Sequence, residues 1–236
     1  MKSLIFDAGP IISLTMNNLL WLLEPLKEKF NGDFYLPLAV KKELIDRPLE
    51  IKMYKFEALQ VMRWIRHGVL EVYQDGDVAK RAAILLSMAN QCFKAHNNWI
   101  RIVHPAEMES VAAALHLKAE ALVIDERTTR VLVEDPDKLA DLLSKKMHAE
   151  IEVNKQNIDK FRQEVRGLKL IRSIELVTLG YEFGLLDEYI PHKTEAVPEP
   201  RKTLLDSVLW GVKLDGCAVS KDEIEEIIRL EQGKHG

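Results

Sequence analysis

The sequence predicts an α/β protein, a three-layer α/β/α sandwich with a central parallel sheet and additional helices, and three observations predict it. Short, near-continuous apolar runs alternate with stretches of helical periodicity, the pattern of a parallel sheet covered by helices. The runs SLIF and ALVI read as strands buried on both faces rather than half exposed. Each of the two ends in an aspartate, Asp7 and Asp125, and a lone buried carboxylate is expensive unless something pairs with it.

Taken in order, SLIF (3–6) is the first strand, and Pro10 suits the first turn of a helix running through IISLTMNNLLWLL. FYLP is the second strand, and its proline opens the helix LAVKKELI. Met53, Phe56, Leu59, Met62 and Ile65 form a stripe that predicts a helix from Ile51 to His67. VLEVY is a short strand, followed by a helix from about Val78 to Ala95. HPAEMESVAAALHL carries the clearest helix start, with Pro105 in the first turn and acids beside it, and leads into the strand of ALVID. The charged stretch from Asp135 to Arg166 lacks turn signals and reads as one or two long helices outside the sheet; LKLI after Gly167 reads as a last strand. IELVTLGYEFGLL is helical, DEYIPHKTEAVPEPRK a loop, TLLDSVLWGVKL helical, and Ser220 with Glu223 forms a capping box for the final helix. The expected organisation is one domain over 1–236, with helical insertions at about 51–98 and 135–166 and a helical C-terminal extension at about 173–232.

Composition bounds the function. With 236 residues and 47% hydrophobic content the chain can bury a large core without disulfide staples. Cys92 and Cys217 stand far apart in no zinc-binding spacing, which suits a reducing, cytoplasmic setting. No signal segment opens the chain and no apolar stretch approaches bilayer length, so a soluble protein with no membrane partner is expected. A net charge of −4 and a pI near 6.0 exclude a generic basic polyanion binder. Any nucleic-acid contact must be local.

The acids carry the chemistry. In an open parallel sheet ligands bind beyond the carboxyl ends of the strands, near the point where strand order reverses, and Asp7 and Asp125 both sit at strand ends. Each also stands where it could cap the following helix. On LAVKKELI, Glu43 falls beside the buried side, from which it can reach the crevice or pair with a neighbouring cation. On the helix after Pro105, Glu107 and Glu109 lie on opposite flanks of the stripe centred on Met108, so only one can point inward. Converging carboxylates repel one another unless a divalent cation neutralises them. All-oxygen ligands favour Mg2+ or Mn2+, and water on such an ion becomes a nucleophile near neutral pH. Arg127 and Arg130 could hold a backbone phosphate, although both also fit plain surface positions at a helix start.

LIFDAGPIISL, LPLAVKKEL, AEMESVAAAL and ALVIDERTTR, in this order, resemble a PIN-domain nuclease. The resemblance implies the same sandwich fold, a Mg2+- or Mn2+-dependent endoribonuclease acting on single-stranded RNA, and a catalytic and metal-binding quartet of Asp7, Glu43, Glu109 and Asp125, preferring Glu109 to Glu107. A toxin–antitoxin or RNA-processing role, with an antitoxin or other protein partner and a homodimer, belongs to the same expectation. The sequence departs from the family where a serine or threonine often follows the first aspartate by two residues; here Gly9 stands there. A PIN-like module without activity, binding nucleic acid or protein, is the alternative. LIFDAG also looks like a haloacid-dehalogenase phosphatase, but that chemistry needs a second aspartate where Gly9 lies.

Overall fold

The structure, a computed structural model, describes residues 2–190 and 197–234. Its strands are β1 (Ser3–Phe6), β2 (Asp33–Pro37), β3 (Glu71–Tyr73), β4 (Phe93–Ala95), β5 (Asn98–Trp99), β6 (Ala121–Val123), β7 (Glu152–Val153) and β8 (Leu170–Ile171). Five of them form an all-parallel sheet in the order β3-β2-β1-β6-β8. The chain builds outward from β1 in one direction and then returns to its other side with β6. The switch in strand order therefore falls between β1 and β6, which are paired with Phe6 opposite Val123.

The helices are α1 (Ala8–Met16), α2 (Leu23–Phe30), α3 (Leu38–Lys41), α4 (Arg47–Glu50), α5 (Lys55–Arg66), α6 (Gly76–Ala89), α7 (Pro105–Leu117), α8 (Arg127–Glu134), α9 (Pro136–Met147), α10 (Lys155–Glu164), α11 (Ser173–Glu182), α12 (Pro200–Leu214) and α13 (Lys221–Lys234). Alternate residues of the central strands serve two separate cores. Leu4, Phe6 and Val123 pack with α1, α2, α5 and the C-terminal helices. Ile5 and Leu122 pack with α6 to α10. This is the three-layer α/β/α arrangement that doubly buried strands demand. Among the described residues no helix is long and apolar enough to cross a membrane.

Several boundaries differ from the sequence reading. The first long helix ends at Met16, because Asn18 takes a left-handed conformation (φ 56°), and the chain restarts through a short 3-10 turn into α2. The second runs on past Ile45 through a π turn, Lys42–Asp46, into α4. Pro48 explains it: proline offers no N–H to the carbonyl four residues back and crowds it, so the ladder widens there. The helix expected from Ile51 starts only at Lys55, after left-handed Tyr54 (φ 63°). That expected from Val78 to Ala95 stops at Ala89, where the Asn90 side chain accepts the N–H groups of Ile102 and Val103. Beyond it β4, β5 and β7 form a small antiparallel sheet that the sequence reading lacked, so neither insertion is purely helical. These strands are two or three residues long, too short to leave a periodic signal. The loop expected over 187–202 ends at Pro200, where α12 begins, and its residues 191–196 lie outside the described residues.

Candidate functional site at the switch point

Asp7 follows β1 directly, and its N–H donates to the carbonyl of Val123 on β6 (2.9 Å). Its carboxyl is 5% exposed and accepts a hydrogen bond from the Ser110 hydroxyl of α7 (3.2 Å). It holds the N-cap position of α1 without making a side-chain cap. Burial, then the neighbouring Glu107 and Glu43 charges, push its pKa up to about 7. A carboxyl in such surroundings is one that would gain from a cation.

Asp125, 1% exposed, lies two residues beyond β6. Both its oxygens are engaged: Oδ1 accepts from the Ser173 backbone N–H (2.8 Å), and Oδ2 from the hydroxyls of Ser173 (2.7 Å) and Ser13 (3.0 Å). The C-terminal segment closes over it. Ala218 N–H donates to the Asp125 carbonyl, and the buried Cys217 thiol sits against Asp125 and Ser173, its pKa pushed up to about 12 by burial and then by the Asp125 charge. The Ala218 carbonyl in turn accepts from both Arg130 and Arg172 (3.2 and 3.1 Å), and that of Val219 from Lys213. On the other flank Asn17 bridges the Ser13 carbonyl and the Asp215 carboxylate. A Cβ on Gly211 would collide with the Asn17 amide and displace that side chain from its bonds to Ser13 and Asp215.

The two glutamates of α7 diverge. Glu109 turns toward β2, where it accepts the Ala39 N–H at the start of α3 (2.9 Å). Glu107 turns toward α8, accepting from the Thr129 hydroxyl (2.7 Å) and the His104 N–H (3.1 Å). It is Glu107 whose charge acts most strongly on Asp7, and its own pKa is raised, chiefly by burial. Glu43, on the π turn, lies 3.9 Å from Arg47 and is the second charge felt by Asp7. Asp7, Glu43, Glu109 and Asp125 thus do not gather as one cluster. Among the described residues no three of the histidine, cysteine, aspartate and glutamate side chains are grouped so that they could hold a metal ion. Two of the four have other partners: Glu109 accepts an N–H at the start of α3, and both oxygens of Asp125 accept hydrogen bonds from serines. Neither arginine lies free beside the acids either, since Arg130 is committed to Ala218 and Arg127 points to solvent.

No family model matches the chain, and no curated protein or solved structure matches it. Magnesium keeps several waters and is held by one or two carboxylates plus substrate phosphate oxygens. Asp7 with Glu107, or with Glu43, fits that sparse all-oxygen requirement; a three-acid cage does not fit.

Ser13, Ser110, Ser173 and Thr129 are site residues that the sequence reading missed. Ser173 had a signal: it stands two residues past β8, just as Asp125 stands two past β6. The others are hydroxyls on apolar helix faces, where spacing alone does not single them out.

Gly9 also acquires a structural reason. A Cβ there would stand 3.3 Å from the Asp125 Cβ, and both atoms are fixed by backbone. Gly9→Ser should cost about 1–3 kcal/mol in urea unfolding through overpacking; a neutral result would show that α1 can shift away from β6.

Proposed function

We propose that the protein is a divalent-metal-dependent ribonuclease of PIN type that hydrolyses single-stranded RNA. One observation carries the reading: a buried carboxyl, Asp7, stands at the carboxyl end of β1 where strand order switches, with the Glu107 and Glu43 charges acting on it. Asp7 with Glu107 or Glu43 would hold Mg2+ or Mn2+, which when bound supplies an activated water and stabilises the leaving oxygen. Ser110 orients Asp7, and Thr129 orients Glu107. Asp125 keeps the β6 end and the C-terminal segment in place. The free, buried thiols of Cys92 and Cys217 suit a cytoplasmic enzyme. An antitoxin-like protein partner, or a second copy of the chain, belongs to the same proposal through the family resemblance.

The test is cleavage of an unstructured RNA with Mn2+. Asp7→Asn should reduce it by about 100-fold or more, and Glu107→Gln should cost far more activity than Glu109→Gln. If Glu109→Gln is the more damaging change, the assignment of the acids is wrong. A second reading, a PIN-like module that binds without cutting, is favoured by the serine hydrogen bonds on both oxygens of Asp125. Under it Mn2+ leaves the thermal midpoint of the parent protein unmoved; under the first, the ion raises it by linkage.

A further inference from the structure

Two cavities border the Asp7 neighbourhood, one with acids as its only charged lining residues and the other with acids and cations in equal number. One, about 380 Å³, is lined by Ile12, Met16 and Tyr54 with Glu43, Glu57 and Asp215, and no cation lines it. The other, about 300 Å³, contains Glu107 and Glu126 together with Arg101, His104, Thr128 and Lys146. Glu43 lines the first and Glu107 the second, and these are the two acids whose charges act on Asp7.

The acids of the second cavity are already engaged. Glu126 accepts the Thr129 N–H (2.6 Å), while Glu107 accepts the Thr129 hydroxyl and the His104 N–H. Its cations are not: Arg101 and Lys146 are exposed and make no ion pair with any described residue. The Thr128 hydroxyl and the first turns of α7 and α8 add donors and positive dipole ends. Two cations without ion-pair partners among the described residues thus face the second cavity and could take a phosphate, whereas the first, charged by acids alone, repels one.

We infer that the cavity of Arg101, His104, Thr128 and Lys146 is a phosphate subsite that holds the backbone of a single-stranded RNA beside Glu107. The inference rests on the ribonuclease reading for the identity of the polyanion. It assigns substrate contact to the 100–104 loop, which follows the first inserted segment, and to the end of α9, within the second, and not to Arg127 or Arg130.

Binding is measured apart from cleavage, by fluorescence anisotropy of a labelled unstructured oligoribonucleotide with the intact protein in chelator, across a salt series. The double variant Arg101→Gln, Lys146→Gln should bind about tenfold or more weakly at low salt. The slope of log K against log salt should shrink by about 0.7 for each phosphate that is no longer neutralised. Lys145→Gln, an exposed neighbour outside the cavity, should change neither quantity. Equal binding and slope in the double variant would overturn the subsite, as would failure of the parent to bind. Manganese-dependent cleavage, assayed separately, decides the ribonuclease reading: binding without cleavage sinks that reading and leaves the subsite, whereas cleavage with an unaffected double variant does the reverse.

Discussion

Asp7→Asn should raise the thermal midpoint of the metal-free protein at pH 8.5 by roughly 10 °C, and the gain should narrow steadily toward pH 4.5. In the folded protein the carboxyl keeps its proton up to about 7, against an ordinary value of 3.8. Between those limits the folded state binds more protons than the unfolded chain, so stability falls as pH rises through the window. Above pH 7 the burden of the buried charge reaches at most about 4 kcal/mol, and each kcal/mol moves the midpoint of a chain this size by ~2–4 °C. Asparagine cannot ionise, yet it still offers an oxygen to Ser110. Melting curves of parent and variant over this pH range give the answer; a difference that does not vary with pH would mean that the Asp7 environment is polar enough to carry the charge. Saturating Mn2+ should bring the parent toward the variant at pH 8.5 without moving the variant.

Asp125→Ala should lower the unfolding free energy by on the order of 3–5 kcal/mol, because it strands the Ser173 N–H and two serine hydroxyls in a closed site. It also removes the charge against which Cys217 packs and loosens the turn whose Ala218 N–H meets the Asp125 backbone. Urea unfolding would measure it. A loss below about 1 kcal/mol would mean that water replaces the missing oxygens, and would return Asp125 to the pool of groups available for catalysis. With the expected loss, Asp7 and Asp125 are distinguished by opposite signs: one aspartate burdens the fold, the other holds it together.

Periodicity and strand-end chemistry made the framework legible. SLIF, FYLP, VLEVY, ALVID and LKLI all contain strands of the parallel sheet, and the aspartates that close two of them stand on either side of the switch in strand order. What one sequence could not supply was rotation and company. Glu107 and Glu109 lie equally far from the centre of their stripe, and the choice between them is made by β2 and α3, whose Ala39 N–H takes one, and by α8, whose Thr129 takes the other. The insertions were less legible for another reason. Strands of two or three residues, and helix ends set by Asn18, Pro48 or Asn90, depend on single side chains and distant partners, which weigh little in any window long enough to show a period.

The enclosure of Asp125 has a consequence for the order in which the molecule can be made. Its serine partners lie 112 residues before it and 48 after it, and the segment that covers it comes later still, at Cys217 to Val219. A chain emerging from the ribosome therefore holds β1, α1 and β6 long before the last donors exist. The switch point is completed only when the chain has been translated through Val219. Under the proposal of an RNA-cutting enzyme, made on a machine built of RNA and threaded with a message, this delay would keep the nascent chain harmless until that covering segment has emerged.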